Sequence, residues 1–277
     1  VQVSVSLSPL KSAAGSVIGI STIARDVTEQ VSLLTAERRA RAEAERANRT
    51  KDQFLAVLSH ELRQPLNTML GWLRLLRSRH VDPAQAARAL AALDRSTQAQ
   101  ARMIDDLLDI ARIEAGKLTL QREPVDLGPL ISDWVESFQQ EATAKAVKLE
   151  PLAGAVTATV SADADRLRQV VMNLLANAIK YTPSGGRIQV RMTGEDGVVR
   201  IAVSDTGAGI DRDLLPHVFE QFRQADSRDA GRQSGLGLGL AIVRELVEMH
   251  EGTVEAQSDG PGRGATFTVT LPAIAAG

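Results

Sequence analysis

The chain has 277 residues, a length that suggests two domains, and its 32 basic and 34 acidic side chains leave a net charge of −2, so no global field draws it to nucleic acid or to an acidic membrane surface. Apolar residues make up 44% and aromatic residues 3%, a balance that favours helical bundles over β-sandwiches. There is no cysteine, which excludes disulfides and thiolate metal sites and fits a reducing, cytoplasmic compartment.

No apolar run nears the roughly 20 residues of a membrane span, so no membrane segment is expected in this chain. It opens without Met, inside an alternating strand, and reads as a piece of something longer whose parent could be anchored upstream. Residues 1–7 alternate with period two, Pro9 to Ser16 are turn-rich, and Val17 to Ala24 form a second strand. The exit Arg25-Asp26-Val27-Thr28-Glu29-Gln30 resembles the end of a PAS sensor domain. The resemblance implies that only the last strands of an upstream sensor are present.

From Glu29 to Ser78 the apolar positions Leu33, Ala36, Ala40, Ala44, Ala47, Phe54, Leu58, Leu62, Leu66, Met69, Leu73 and Leu76 keep helical steps, apart from a polar gap at Lys51. That predicts a long helix with a coiled-coil seam, weak in its Ala-rich first half. A 50-residue helix is about 75 Å long and needs a partner. Within it, His60 lies between Leu58 and Leu62, which share a face that turns His60 toward solvent. Asp82-Pro83 starts a second helix to about Ala115, with Leu90, Leu93, Thr97, Ile104, Leu107, Leu108 and Ile113 inward, and Gly116 ends it. Two antiparallel helices make half a bundle, and two copies make a four-helix bundle.

Pro124 to Pro129 reads as a linker. A helix (about 130–145), a strand (156–160) and a helix (163–180) follow. Strands at 187–192 and 198–203, a helix at 240–250 and two last strands at 253–256 and 265–271 complete a layer of helices on one mixed sheet. The expected fold is therefore α plus α+β: a long helical hairpin that forms a dimeric four-helix bundle, followed by an α/β sandwich.

The sandwich carries a set of polar motifs. Asn173, Asn177, Lys180 and Tyr181 form a stripe beside the apolar face of their helix. A carboxamide oxygen suits Mg²⁺ and an ammonium suits phosphate. Ser204-Asp205-Thr206-Gly207-Ala208-Gly209-Ile210 follows an apolar strand, where a carboxylate can accept from an adenine amino group and glycines let the backbone approach the ring. Phe219-Glu-Gln-Phe222-Arg223 precedes a polar run read as a lid, with an Arg able to reach phosphate. Gly235-Leu236-Gly237-Leu238-Gly239 opens a helix whose N–H groups favour phosphate. A dinucleotide-binding βαβ reading needs a strand immediately before those glycines, and a polar run stands there instead. Gly262-Arg-Gly264-Ala-Thr266 lies between the last two strands.

In this order and spacing, from about residue 26 to 272, the chain resembles the sensor histidine kinases of two-component systems. The resemblance implies that His60 accepts phosphate, that Glu61 is the acid/base partner on the other ring nitrogen, and that Asn177 binds Mg²⁺ with Asn173 beside it. Lys180, Tyr181 and Arg223 would contact phosphate and nucleotide, and Asp205 would select adenine. The implied cofactors are ATP and Mg²⁺. The implied partners are a second copy of the chain, a response-regulator receiver domain and the upstream sensor domain. The implied organisation is a sensor end (1–28), a coiled-coil linker (29–50), a dimerisation and phosphotransfer domain (51–121) and an ATP-binding domain (122–277).

An ATP-hydrolysing clamp competes, because its fold is shared. Such clamps place a Glu one turn before the metal-binding Asn, where this chain has Asn173. Pro65 lacks the N–H that would bond to the Glu61 carbonyl and lets the helix bend beyond the nucleophile. Gln64 stands where the family commonly has Thr or Asn to orient a water, so receiver dephosphorylation is expected to be weak.

Overall fold

In the computed structural model of the chain, residues 1–13, 15–78, 81–154, 158–223 and 236–274 are described. They fall into two units, Val1–Leu58 and Ser59–Gly277.

In the first unit, β1 (Val3–Lys11) pairs antiparallel with β2 (Val17–Asp26), Val3 opposite Asp26 and Pro9 opposite Ile20. The strand thus continues through Pro9, into the stretch expected to be a turn. Both strands are edges, and an edge tolerates the missing proline N–H. Both faces of the ribbon are open, with Leu7, Ile18 and Ile20 each more than 60% exposed, so the hairpin has no core of its own.

The Asp26-Val27-Thr28 signature is a joint. Asp26 Oδ1 accepts from the Thr28 N–H at 2.9 Å and from its hydroxyl at 2.6 Å, Gln2 N donates to Thr28 Oγ1 at 2.7 Å, and Val27 N donates to Gln2 O at 2.9 Å. The Thr28 hydrogen bonds hold the Asp26 carboxyl below its ordinary range. The helix α1 (Thr28–Leu76) starts on this joint and runs through Pro65. The seam positions Ala36, Ala40, Ala44, Ala47 and Phe54 lie outside the residues whose side chains are described.

In the second unit, α2 (Pro83–Glu114) begins where Asp82 accepts from Gln85 N at 2.8 Å, and Gly116, at φ +61°, turns the chain after it. Thr97 Oγ1 meets Met69 Sδ at 3.3 Å, so the two helices face each other. Ala89, Ala92 and Ile110 are buried, whereas Leu90, Ile104 and Leu108, expected to point inward, are exposed. One hairpin can cover only one apolar stripe of α2, and the other stays open.

The rest is one layer of helices on a sheet. The strands β3 (Glu123–Asp126), β4 (Lys148–Leu149), β5 (Thr159–Ala162), β6 (Arg187–Glu195), β7 (Val198–Asp205), β8 (Thr253–Gln257) and β9 (Ala265–Ile274) are ordered β3-β5-β9-β7-β6-β4, with β8 also paired to β9. The stretch expected to be a linker is thus an edge strand with Pro124 in it. The single helix expected over 130–145 is two, α3 (Leu127–Ser137) and α4 (Gln139–Ala144), separated at the buried Phe138. α3 starts early because Asp126 caps it through Gly128 N.

One sheet face is dry: Ile188, Val190, Met192, Val199, Ile201, Val203, Val269 and Leu271 are at most 2% exposed. Against it lie α5 (Ala164–Tyr181) and α6 (Gly239–Met249), contributing Leu167, Leu174, Leu175, Ile242 and Leu246. The β7 strand ends at Asp205 and α5 at Tyr181. This packing brings the polar ends of both elements to one place.

Candidate active site

The site assembles around the C-terminal end of α5. Asn177 faces partly outward and its amide has no hydrogen-bond partner among the described residues, which leaves its oxygen available to a metal or phosphate-bound water. Lys180 Nζ stands 5.0 Å from the centre of the Tyr181 ring. Asn173 is used differently: its Nδ2 donates to Gly239 O at 3.3 Å and ties α5 to the start of α6. Among the described residues no side chain caps the N-terminus of α6, whose first N–H groups suit an anion. The Leu236 and Leu238 side chains are buried, so what these two residues can offer a phosphate is backbone.

Asp205 sits at the end of β7, and its Oδ1 accepts from Gly207 N at 2.7 Å. Burial raises its carboxyl above the ordinary range, while the N–H groups of Gly207 and Ala265 pull it back. The glycines around it are required by close backbone contact. At Gly209 (φ +68°) a Cβ would lie 2.1 Å from Gly260 O, and at Gly264 (φ +72°) 2.0 Å from Asp205 O. Gly264 N also donates to Gly207 O at 3.2 Å, and Ala208 N to Tyr181 O at 3.1 Å. The two glycine motifs and the end of α5 therefore form one wall. Ile210 N is held by Ser258 Oγ at 3.0 Å, and Thr266 Oγ1 donates to Ser204 Oγ at 3.0 Å on the adjacent strand.

Phe219 meets Phe267 edge to face with 6.2 Å between ring centres. Arg223 Nε pairs with Glu220 Oε2 at 2.9 Å, and Glu220 also binds His217 Nδ1 at 2.6 Å. Phe222 N donates to Gly237 O at 3.1 Å, which joins the two ends of the expected lid. Gly235 and the run 224–234 lie outside the described residues.

His60 is exposed on α1, as expected, and its Nε2 lies 3.0 Å from Gln64 Nε2, one turn on. Glu61 is 8% exposed. Met69 faces Thr97 across the hairpin, so nine residues along at equal rise Asp106 reaches the height of His60. Burial first, then the Asp109 and Asp105 charges, push the Asp106 carboxyl up to about 6.

Sequence reasoning missed Asp106 and also Lys145. Lys145 Nζ donates to the carbonyls of Ile179 at 2.6 Å and Lys180 at 2.7 Å and so closes the end of α5. Burial lowers its ammonium below the usual range. No signal in the chain marks Lys145, because the helix end it serves lies over thirty residues away.

The chain thus joins a helical hairpin that bears an exposed histidine to a glycine-walled sandwich of helices on a sheet. Residues 162–275 match the family "Histidine kinase-, DNA gyrase B-, and HSP90-like ATPase", and residues 50–116 match "His Kinase A (phospho-acceptor) domain". The chain belongs to the histidine kinases.

It is 33% identical over 98% of its length to an uncharacterized sensor-like histidine kinase of Rhizobium meliloti, of which it spans 52%. It is 35% identical over 92% of its length to the autoinducer 2 sensor kinase/phosphatase LuxQ of Vibrio vulnificus, of which it spans 30%. The chain thus covers about half the length of such relatives, or less. Among solved structures, full-length ShkA in complex with AMPPNP matches at 33% identity and a TM-score of 0.59, covering 81% of this chain and 46% of that one. Histidine kinase ThkA, solved with response regulator protein TrrA, shares the fold at 22% identity and a TM-score of 0.58, covering 98% of this chain and 75% of that one. No helix among the described residues is long and apolar enough to cross a membrane.

Proposed function

We propose that the chain transfers the γ-phosphoryl group of ATP to His60 and then to an Asp of a response-regulator receiver domain. The nucleotide lies between Asp205, which accepts from the adenine amino group, and the end of α5, where Lys180 and Tyr181 face the phosphates. Gly207, Gly209 and the open N-terminus of α6 offer backbone to ring and phosphate. Asn177, whose carboxamide oxygen has no partner among the described residues, fits Mg²⁺, which is held by few protein ligands and by phosphate oxygens. When bound, that ion neutralises charge on the phosphates.

His60 Nε2 lies 3.0 Å from Gln64 Nε2, and in the proposed reaction Gln64 turns away, leaving the Nε2 lone pair free while Nδ1 carries the proton of the neutral ring. The Nε2 lone pair attacks the γ-phosphorus, a P–N bond forms, the bond to the β-phosphate oxygen breaks, and ADP leaves. Glu61 takes up the Nδ1 proton. The receiver carboxylate then attacks the same phosphorus, Glu61 returns the proton to Nδ1, the P–N bond breaks and neutral imidazole leaves.

The observation that carries transfer over hydrolysis is Asn173. In hydrolysing clamps a Glu at this position activates water. Here the side chain is a carboxamide, which is no base, and its amide is engaged by Gly239 O. Two further features support the assembly. The exposed Leu66, Leu70, Leu73, Leu90, Ile104 and Leu108 of the hairpin call for a second copy, completing a four-helix bundle. The open faces of β1 and β2 call for the rest of a PAS-like sensor upstream. The proposed organisation is sensor end 1–28, coiled-coil linker 29–50, phosphotransfer domain 51–121 and ATP-binding domain 122–277. Incubation with γ-labelled ATP tests the chemistry: label that is lost in acid and survives alkali is the expected phosphohistidine, and acid-stable label contradicts the reading.

A further inference from the structure

The last turn of α5 cannot satisfy its own backbone. Pro183 disfavours a helical residue before it, and Thr182 leaves the helix at φ −86° and ψ 123°. The final carbonyls of a helix must find partners beyond it. The Ala178 carbonyl accepts from the Thr182 N–H at 3.0 Å, and the Tyr181 carbonyl from the Ala208 N–H at 3.1 Å. The N–H that would continue the ladder to Ile179 belongs to position 183, and proline has none. Among the described residues no backbone N–H bonds to the carbonyls of Ile179 and Lys180.

Lys145 supplies both bonds, its Nζ donating to Ile179 O at 2.6 Å and to Lys180 O at 2.7 Å. The backbone beneath it is held separately. The Lys145 N–H bonds to Glu141 O and Ala142 O at the end of α4, and the Val147 N–H to Ala142 O at 2.9 Å. The Gly185 N–H donates to Ala146 O at 2.7 Å, so the loops after α4 and α5 are joined beside the lysine and not only through it. A neutral donor could have capped one carbonyl. An ammonium caps two and brings a full positive charge to a helix end that carries about half a negative one.

That charge bears on what the same turn presents. Asn177, Lys180 and Tyr181 stand on it, the side chains assigned above to the metal and the phosphates. The C-terminal end of a helix repels an anion, the opposite of what the N-terminus of α6 offers. A phosphate site built here needs the helix charge offset from behind.

Resting on the kinase reading above, we propose that Lys145 is a positioning residue of the nucleotide site: through the carbonyls of Ile179 and Lys180 it fixes the turn that bears Asn177, Lys180 and Tyr181, and it offsets the helix charge that opposes the phosphates. It serves the phosphate end of the nucleotide and leaves the adenine end, at Asp205, to other groups.

Titration with ATP and with adenosine, followed by protein NMR shifts that register weak ligands, reads the two ends separately. Lys145→Met keeps an apolar stem and loses the charge and the donors. Its affinity for ATP is expected to fall on the order of tenfold while its affinity for adenosine stays within about twofold of wild type. Lys145→Arg keeps charge and donors and is expected to bring ATP affinity back to within about threefold. Should Lys145→Met fold poorly, Lys145→Gln keeps a donor without the charge and is expected to weaken ATP selectively as well.

Unchanged ATP affinity in a folded, uncharged variant overturns the proposal. Equal losses for ATP and adenosine also overturn it, because Lys145 would then only hold the fold together. A wild-type chain that binds neither ligand overturns the nucleotide reading itself, whereas a wild type that binds ATP beside an indifferent variant leaves that reading standing and removes Lys145 from it.

Discussion

Leu174 on α5 and Leu108 on α2 occupy the same kind of place, the apolar stripe of an amphipathic helix, yet Leu174 is 0% exposed and Leu108 is 49% exposed. The sandwich closes its core within one chain, because a sheet with a dry face gives every helix something to cover. The hairpin has only two helices, and each keeps a second apolar stripe open. A part that must hold a nucleotide is finished alone. In the proposed dimer, the part that presents a histidine is finished by a second copy, and its geometry is then set by how the copies pack.

Four substitutions sharpen that contrast. The largest effect is expected from Asn177→Asp, which puts a fixed charge beside the phosphates and alters the metal shell, with autophosphorylation falling roughly 100-fold or more. Unchanged labelling would show that the end of α5 is not the metal site. Next, Leu174→Ala should cost the sandwich about 2–5 kcal/mol in denaturant unfolding at any protein concentration. Leu108→Ala should instead lower stability in a concentration-dependent way, because its cover comes from the other copy. If both variants respond alike to dilution, the hairpin is complete on its own.

A smaller and more graded effect is expected in the linker. Inserting seven residues near Ala44 restores the helix face and should leave activity near wild type. Inserting two turns everything downstream by about 200° and should change it several-fold. Equal activity in both would make the linker a passive spacer. The smallest effect is expected at Gln64. Its amide, 3.0 Å from the His60 ring, is one methylene longer than Asn and harder to order around a water. Gln64→Thr should raise dephosphorylation of a phosphorylated receiver while sparing autophosphorylation. If the wild-type chain already dephosphorylates the receiver rapidly and the variant slows it, Gln64 is itself the water-positioning residue.

Local patterns in the sequence were good guides where one element decides the outcome. The α5 stripe, the Asp82-Pro83 start of α2, the strands before and after Gly194–Gly197 and the outward His60 all follow from spacing and capping. What spacing could not give was anything decided by a partner far along the chain. Pro124 looked like a linker because only pairing with β5 makes it a strand. Leu90, Ile104 and Leu108 looked inward because helical period marks an apolar stripe without saying which chain covers it. Lys145 carried no signal, since its value lies in two carbonyls of α5. Asn173 was expected beside the metal-binding Asn177, and what spacing did not show is that its Nδ2 donates to Gly239 O. Asp205, Gly209 and Gly264 lie in two separate motifs, and the close packing of those motifs is what the structure adds to their spacing.

The central claim is that the nucleotide and the nucleophile belong to different parts of one chain. The most direct test compares wild type with His60→Gln, measuring ATP binding and γ-phosphoryl labelling on the same preparations. Unchanged ATP affinity with complete loss of acid-labile, alkali-stable label is the predicted result. Full labelling of the variant, or loss of ATP binding along with the label, would contradict it.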